Sequence, residues 1–325
     1  MAVDLEKEPL KTSYDTVKNF LTKAENSMAE FVELLEAIHK GRKGSSSRYY
    51  EPLKELAFLE DRERLAVLSQ VLDDLSIDIS QQGFLPLPQK VASFILDLIQ
   101  PIFEGGNALF WSQAPISNLL GELKIRNSNI KSEKVSSERR FNELDEKFLK
   151  ACNLTDTDVR TENFLHNSYK NYDLTFSNLQ FIKEDNLDAD EHSLDFTKKE
   201  QAKYQGITNK IDMPAASLLK SIKSTKNGGI SVNIVINTLL FSERYVNLRN
   251  YLRNEFQIMG IVELPKVKAF SNISPHYSLM ILRNNNEQRP DEVFLSDLRD
   301  NFSEREKVIN DWKEFLVNEP AYKDL

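Results

Sequence analysis

Apolar residues recur at three- and four-residue steps through the first quarter of the chain. Over residues 14–39 this spacing predicts one long amphipathic helix that begins at Ser13 or Asp15 and ends at Gly41. Its apolar positions are Val17, Phe20, Leu21, Ala24, Met28, Phe31, Val32, Leu35 and Ile38. The periodicity resumes over residues 52–75, so we predict a helical N-terminal domain over residues 1–80. A bundle this small is expected to pack on the next domain or on a partner.

The pattern changes near residue 81, where short apolar runs begin to alternate with helical stretches. The predicted strands are residues 108–111, a weak one near Val135, 158–164, 172–176, 230–236, 258–264 and 277–282. The predicted helices are residues 89–102, 116–125, 140–152, 214–223, 244–256 and 305–317. This alternation indicates βαβ units and a mostly parallel sheet. The last two strands are joined without a helix and are expected to pair antiparallel.

These elements predict an α/β fold with a seven-stranded sheet over residues 81–290 and a helical C-terminal tail over residues 291–325. No apolar run approaches the ~20 residues of a membrane span, and the acidic N-terminus has no secretory pattern. The single cysteine, Cys152, excludes an internal disulfide framework and favours a cytoplasmic location. The net charge of -8 disfavours a free-standing nucleic-acid binder, which usually presents a basic face.

Few residues outside the sheet suggest chemistry. The four histidines, His39, His166, His192 and His276, are scattered, and none stands at metal-ligand spacing to another. We predict no metal site. Cys152 lies on the apolar side of a predicted helix, which favours a buried, inert thiol. The acidic run over residues 184–195 has no calcium-loop spacing and is interpreted as a solvated loop.

Several short segments then follow one another in an order typical of one enzyme family. They are Leu85-Pro-Leu-Pro-Gln-Lys-Val-Ala-Ser-Phe-Ile-Leu96, Asn118-Leu-Leu120, Asn178-Leu-Gln-Phe181 and Lys226-Asn-Gly-Gly229. As an ordered set, the chain resembles the adenine-specific (amino-group) DNA methyltransferases, and in particular compact single-chain relatives of type I modification subunits. The resemblance implies a class I methyltransferase-like (Rossmann-like) sheet after an N-terminal helical domain. It also implies S-adenosylmethionine as cofactor and a target-base site at Asn178 and Phe181.

The departures from the family pattern fall on the cofactor positions. Trp111 stands at the strand-end acidic position, and Pro115 and Ser117 stand at two glycines against which the methionine part of the cofactor lies. Ser136 replaces the carboxylate that holds the ribose, and Asn163 replaces an aspartate on the adenine side. Together these changes predict that S-adenosylmethionine does not bind and that no cofactor is used. We therefore expect an inactive, bacterial binding or scaffold protein that engages a protein partner or associates with itself.

Two other hypotheses remain open at this point. The first is an active adenine DNA methyltransferase with an atypical cofactor loop, in which Asn178 and Phe181 act on a flipped base. The second is an interaction module built on the N-terminal helices, which predicts that deletion of residues 1–48 abolishes partner capture while the remainder stays folded. Asn178 and Phe181 also have a purely structural interpretation, in which Asn178 forms a turn and Phe181 is a core aromatic residue. Only the first hypothesis gives both residues a role in catalysis.

Overall fold

The computed structural model describes residues 5–41, 48–81, 86–178, 186–188, 197–204, 210–265, 276–285, 290, 292–298 and 302–322. Its first elements are helices α1 (Leu10–Leu21), α2 (Ser27–His39), α3 (Tyr50–Ala57) and α4 (Asp61–Gln81). The prediction of one helix over residues 14–39 is wrong. Asn26 adopts an extended backbone and its side chain accepts a hydrogen bond from the Ala29 N–H (3.0 Å), so a new helix begins there.

The start of this region also differs from expectation, whereas its end does not. Helix α1 begins at Leu10, after Pro9, and neither Ser13 nor Asp15 caps it. The predicted end at Gly41 is confirmed, since Gly41 follows the last turn of α2 with a positive φ of 57°. The periodic stretch over residues 52–75 belongs to two helices, α3 and α4, because the chain turns between Ala57 and Asp61.

The sheet has eight strands where seven were predicted. They are β1 (Asn107–Ser112), β2 (Lys131–Ser136), β3 (Thr157–Thr161), β4 (Tyr172–Asn178), β7 (Thr225–Ile236), β8 (Gln257–Glu263), β9 (Tyr277–Arg283) and β10 (Phe294–Asp297), in the order β10-β8-β9-β7-β4-β1-β2-β3. All seven predicted strands are present. The extra strand, β10, lies in the predicted tail; it is short and carries one buried apolar residue, so it gives almost no alternating pattern.

The pairing of the strands matches the predicted topology. Strand β9 pairs antiparallel with β7 and β8, and the other pairs within this sheet are parallel. Two further strands, β5 (Asn186–Asp188) and β6 (Lys210–Asp212), form a separate antiparallel pair that was not predicted. The parallel strands β1 to β4 therefore bring their carboxyl ends to one edge of the sheet, where open α/β sheets bind ligands.

The remaining helices pack on the faces of the sheet or at its ends. They are α5 (Gln89–Ile99), α6 (Ser117–Arg126), α7 (Arg139–Ala151), α8 (Lys198–Lys203), α9 (Met213–Ser224), α10 (Asn237–Phe241), α11 (Val246–Glu255) and α12 (Arg305–Asn318). Short 3₁₀ turns cover Glu243–Tyr245 and Pro320–Tyr322. None of the helices in the described part of the chain combines the length and apolarity needed to cross a membrane.

Helix α7 joins the N-terminal helices to the sheet. Its residues Leu144 and Phe148 are buried with Phe31 of α2 in a core formed mainly by α1 to α4, whereas Leu149 belongs to the core of the sheet. An ion pair between Lys147 and Glu36 (3.1 Å) links α7 to α2 at the surface. Deletion of residues 1–48 would therefore strip the cover from one face of α7.

The same core encloses Cys152, which directly follows α7. Its side chain is fully buried, and this burial raises the pKa of the thiol to about 12. A thiol with such a pKa is neutral near pH 7 and reacts slowly as a nucleophile. The structure thus agrees with a packing role for Cys152.

Helix α12 packs back on the core through Trp312. The indole is fully buried against Phe294 of β10 and Phe315, and its Nε1–H donates to the Leu98 carbonyl at 2.9 Å. An ion pair between Arg305 and Asp97 fixes the start of the same helix on α5. The tail segment is therefore integral to the sheet, because it supplies both an edge strand and the helix that covers that strand.

We expect Trp312→Ala to lower the free energy of unfolding by about 3–5 kcal/mol, since it leaves a large cavity and an unpaired Leu98 carbonyl. Urea unfolding followed by circular dichroism measures this loss. The matched control is Val317→Ala on the same helix, where the side chain is 74% exposed and the change should stay within about 0.5 kcal/mol. Equal effects of the two substitutions would contradict the packing described for α12.

Candidate functional site

The carboxyl edge of strands β1 to β4 collects most of the residues singled out in the sequence. Their positions are Trp111 within β1, Pro115 and Ser117 directly after it, Ser136 and Asn178 at the ends of β2 and β4, and Asn163 just after β3. In the register of the sheet, Trp111 is level with Val135 and Ser112 is level with Asn178. The six residues thus share one edge. Phe181 lies outside the described residues.

Trp111 is the first member of a stack of three aromatic rings at this edge. Its indole lies 4.9 Å from the ring of Phe164 at an interplanar angle of 15°, and Phe164 in turn stacks on Tyr169 at 5.4 Å and 21°. All three side chains are buried, and the Tyr169 hydroxyl donates to Glu162 at 2.8 Å. Phe164 directly follows Asn163 in the sequence. Both faces of its ring are therefore covered by other aromatic residues.

The loop between β1 and α6 is held by a carboxylate from helix α7. Asp145 accepts hydrogen bonds from the Ile116 N–H (3.1 Å) and from the Ser117 hydroxyl, both at the N-terminus of α6. N–H groups at a helix N-terminus have no partner within the helix and carry partial positive charge, which favours an anion there. The anion in this protein is the side chain of Asp145.

Asp145 is also paired with Lys134, which reaches it from strand β2. The Lys134 Nζ lies 2.6 Å from the Asp145 Oδ2, and both side chains are completely buried. Removal from water lowers the pKa of Lys134, and the charge of Asp145 acts in the opposite direction. A buried charge pair persists only where attraction and hydrogen bonds offset the loss of hydration. Asp145 has the ion pair with Lys134 and two hydrogen-bond donors at the start of α6.

The segment that leads into helix α5 contacts the same loop. The Leu87 N–H donates to the Pro115 carbonyl at 3.4 Å, and the Asn118 side chain donates to the Leu87 carbonyl at 3.1 Å and to Asp73 at 2.9 Å. Asp73 also accepts the Gln89 N–H at the N-terminus of α5 (3.1 Å). These contacts bring the backbones of the two segments together, with polar side chains between α4, α5 and α6.

Ser136 and Asn163 are used in local turns. The Ser136 hydroxyl accepts the Glu138 N–H (3.1 Å), and this residue is fully buried at the start of the turn into α7. The Asn163 side-chain oxygen accepts the Leu165 N–H (3.0 Å), which shapes the turn after β3. Each polar group therefore has a structural task in the backbone next to it.

Asn178 ends strand β4 in the interior of the protein. Its side chain is completely buried, and its amide nitrogen lies 3.4 Å from the hydroxyl of Ser112 on the adjacent strand β1. Ser112 in turn exchanges hydrogen bonds with the backbone of Ala114 in the loop before α6. Asn178 is therefore linked to the β1–α6 loop through Ser112.

Three residues that shape this edge were missed in the sequence: Asp73, Lys134 and Asp145. A weak signal exists for Asp145, because it occupies the face of α7 that carries Phe141 and Leu149, four residues away on either side. A charged residue on an apolar helix face indicates a buried partner. The partner could not be identified, since Lys134 reads as an ordinary surface lysine in a weak strand. Across the described residues, no group of three or more His, Cys, Asp or Glu side chains is arranged to hold a metal ion.

The sequence of this chain is similar to that of a known protein family. The sequence profile of the N-6 DNA methylase family matches residues 143–318, which is more than half of the chain. The chain therefore belongs to the N-6 DNA methylase family. No curated protein matches it by sequence.

Solved structures agree on the fold. A Listeria monocytogenes protein assigned to the class I S-adenosylmethionine-dependent methyltransferases superimposes with a TM-score of 0.68 at 14% identity, over 96% of this chain and 98% of that one. A type I restriction-modification methyltransferase subunit from Streptococcus thermophilus gives 0.63 at 15% identity, over 93% and 74%. A modification subunit of a type I restriction enzyme from Vibrio vulnificus gives 0.62 at 13% identity, over 87% and 65%. At these identities the likeness establishes a methyltransferase fold.

Removing Lys134 should be costly because it leaves the Asp145 carboxylate buried without its cation. We expect Lys134→Met to lower the free energy of unfolding by about 3–5 kcal/mol. The double variant Lys134→Met/Asp145→Asn keeps an acceptor for the Ile116 N–H without a buried charge, and it should recover much of the loss. Urea unfolding of both variants measures this, and equal losses would show that charge pairing is not what stabilises the loop.

Asp73 gives the stability a pH dependence. Burial raises the pKa of Asp73 to about 7, against hydrogen bonds from Gln89 and Asn118 that lower it. The folded protein therefore keeps a proton that the unfolded chain has lost, so wild-type stability falls as pH rises from about 4 to about 7. Asp73→Asn retains the acceptor without this penalty, and we expect it to exceed wild type by up to about 4 kcal/mol at pH 8 and to lie close to it at pH 4.

Urea unfolding at pH 4, 6 and 8 tests the expectation for Asp73. The neighbouring variant Asp74→Asn serves for comparison. It removes a like charge that helps to raise the pKa of Asp73, but it also removes the carboxylate that pairs with Lys18 (2.8 Å), so its gain at pH 8 should be clearly smaller than that of Asp73→Asn. A difference between Asp73→Asn and wild type that is the same at every pH would contradict the assignment.

Proposed function

We propose that this member of the N-6 DNA methylase family does not bind S-adenosylmethionine, does not transfer methyl groups, and acts as a binding or scaffold protein. The observation that carries the proposal is the occupation of the α6 N-terminus by Asp145. In the family to which the chain belongs, this loop and helix start would receive the methionine part of the cofactor. Here the Ile116 N–H and the Ser117 hydroxyl are already used within the protein.

The shape of the loop also opposes the cofactor. Close approach of a ligand to bare backbone needs glycine, whereas Pro115 brings a ring and lacks an N–H, and Ser117 brings a side chain that is tied to Asp145. The Pro115 carbonyl accepts the Leu87 N–H, so the segment before α5 lies directly on the loop. A ligand between these two segments would have to separate them.

The adenosine part meets a similar conflict. A ribose is held most firmly by a carboxylate, and the residue at that position is Ser136, whose hydroxyl already accepts the Glu138 N–H. An adenine ring would need an aromatic or apolar face, but the Phe164 ring is stacked with Trp111 and Tyr169. The donors and surfaces at this edge therefore do not fit S-adenosylmethionine. A combined loss of about 4 kcal/mol would weaken binding by roughly a thousandfold.

A scaffold role is supported by the occurrence of this fold in a protein that belongs to a multi-subunit assembly. One solved structure with this fold belongs to a type I restriction-modification system described in terms of complex assembly (TM-score 0.52, 12% identity, over 91% of this chain and 63% of that one). We extend this to the present chain as the proposal of a protein partner or self-association. With the lone buried Cys152, we also propose a bacterial cytoplasmic location. The net charge of -8 disfavours nucleic acid as the partner.

An active adenine methyltransferase is the second candidate, favoured by one observation. Asn178 still ends β4 at the carboxyl edge beside β1, where the family resemblance places the target base. Its complete burial and its contact with Ser112 support a structural role for it instead. The two candidates make opposite predictions for cofactor binding.

We expect the melting temperature of the purified protein to be unchanged by S-adenosylmethionine or S-adenosylhomocysteine up to about 1 mM, because a ligand raises it only by binding the native state. Differential scanning fluorimetry measures this, with adenosine at the same concentration as control for weak nucleoside binding. A parallel assay with methyl-labelled cofactor and an adenine-containing duplex should give no labelled DNA. A saturable rise with either cofactor form at micromolar concentration would overturn the proposal, and labelled DNA would establish the second candidate.

A further inference from the structure

The two edges of the main sheet are built differently. At one edge, β3 carries the ion pair between Asp158 and Arg160 (2.7 Å), and Arg160 also reaches Glu133 on β2 (3.4 Å). Charged side chains of this kind discourage another strand from pairing with an edge. At the other edge, β10 presents Leu295 with 70% of its side chain exposed, preceded by Val293 at 39%. Within the described residues, β10 pairs only with β8.

An apolar groove adjoins the exposed side of β10. It has a volume of about 560 Å³ and lies between the sheet and helices α10 and α11. Its apolar lining includes Leu240, Phe241, Ile258, Ile261, Met280 and Leu295. Phe241 is 77% exposed, so large apolar side chains border the groove on the helix side and on the strand side. An exposed apolar patch beside a strand edge whose central residue is an exposed leucine is typical of an interaction surface.

We propose that this surface is a dimer interface, in which β10 pairs antiparallel with β10 of a second copy across a twofold axis and joins the two sheets. Phe294 faces α12, whereas Leu295 lines the groove. Because side chains alternate along a strand, Asp297 lies on the same face as Leu295. Directly opposed residues in an antiparallel pair share a face. The pairing that meets this condition at the centre of β10 sets Leu295 opposite Leu295 of the second copy, and Val293 opposite Asp297.

Charge complementarity favours a second copy as the occupant. Phe294 pairs with Gly260 on β8, so Val293 is level with Met259. This level is near one end of the groove, and that end is lined by Ile258 and Arg253. The twofold axis brings Asp297 of the second copy to the level of Val293, on the face of the sheet where the exposed Arg253 lines the groove. This contact occurs twice in the dimer. The two Asp297 carboxylates themselves are about 13 Å apart along the strands, so they do not oppose each other.

The pairing is self-complementary in its apolar part as well. Leu295 of each copy covers the other, and the two grooves become one continuous apolar surface across the axis. A twofold contact requires the same patch on both subunits to fit itself, and the β10 edge meets this requirement. The short strand and the modest groove suggest a small interface, so we expect dissociation in the micromolar range. The inference does not depend on whether the protein binds a cofactor.

Sedimentation velocity of the full chain from about 1 to 100 µM tests the proposal. We expect a shift from monomer to dimer over this range for wild type. Leu295→Lys places a charge at the centre of the edge and should raise the dissociation constant at least about tenfold. The matched control is Phe58→Lys in the N-terminal helical region, where an apolar side chain is 80% exposed but far from the sheet edge along the chain. It should dimerise like wild type.

The arrangement of the strands is tested separately. Leu295→Cys introduces an exposed cysteine into a chain whose only other cysteine, Cys152, is buried. Opposed Cα atoms in an antiparallel pair are about 4.5–5.5 Å apart, which suits a disulfide, so mild oxidation should give a covalent dimer. Arg253→Asp and Asp297→Arg should each weaken the dimer, and the double variant should restore it. Melting temperatures of all variants exclude loss of folding as the cause.

A wild-type protein that stays monomeric at 100 µM would overturn the proposal and leave the β10 edge to some other partner. A dimer that Leu295→Lys does not weaken, or a Leu295→Cys protein that fails to cross-link while still dimeric, would place the interface elsewhere. Failure of this proposal would show in the oligomeric state, whereas failure of the proposed function would show in cofactor binding.

Discussion

The buried ion pair between Lys134 and Asp145 is the interaction on which the carboxyl edge depends. Removing both charges from water costs several kcal/mol each, so the pair must be stabilised by more than its own attraction. The Ile116 N–H and the Ser117 hydroxyl supply the additional hydrogen bonds. One carboxylate thereby holds β2, α7 and the start of α6 in a fixed relation. The two donors at the start of α6 are thereby bound within the protein.

The contacts around that pair act in the same direction. The three-ring stack of Trp111, Phe164 and Tyr169 fills the edge beside β3, and the Asn118–Asp73 contact ties the loop to α4 and α5. These are ordinary packing and hydrogen-bonding interactions that require no ligand to be complete. They support the view that the fold of the N-6 DNA methylase family has been retained here while the groups at the edge have been turned to structural use.

Two regions outside the carboxyl edge bear on function: the N-terminal helices and the edge strand β10. The N-terminal helices form a core of their own that includes buried residues of α7, so we expect deletion of residues 1–48 to expose part of that helix. At the opposite end, β10 is covered on one face by Trp312 of α12 and remains exposed at its outer edge. Within the described residues, β10 pairs only with β8, in a segment whose sequence predicts a helical tail.

The sequence by itself determined the class of fold, the seven longer strands and the family, because apolar periodicity and the order of short motifs are local properties of the chain. It also led to the prediction, which rests on the family resemblance, that the cofactor positions from Trp111 to Ser136 depart from the family pattern. Tertiary structure decided how those positions are used. Lys134 meets Asp145, and Trp111 meets Phe164, only because distant segments are brought together, and nothing in either local pattern names its partner. The helix break at Asn26 and the strand β10 were missed for a related reason. One capping residue does not interrupt an apolar periodicity, and one buried residue, Phe294, does not create an alternating pattern. Both features are recognised only from the packing around them.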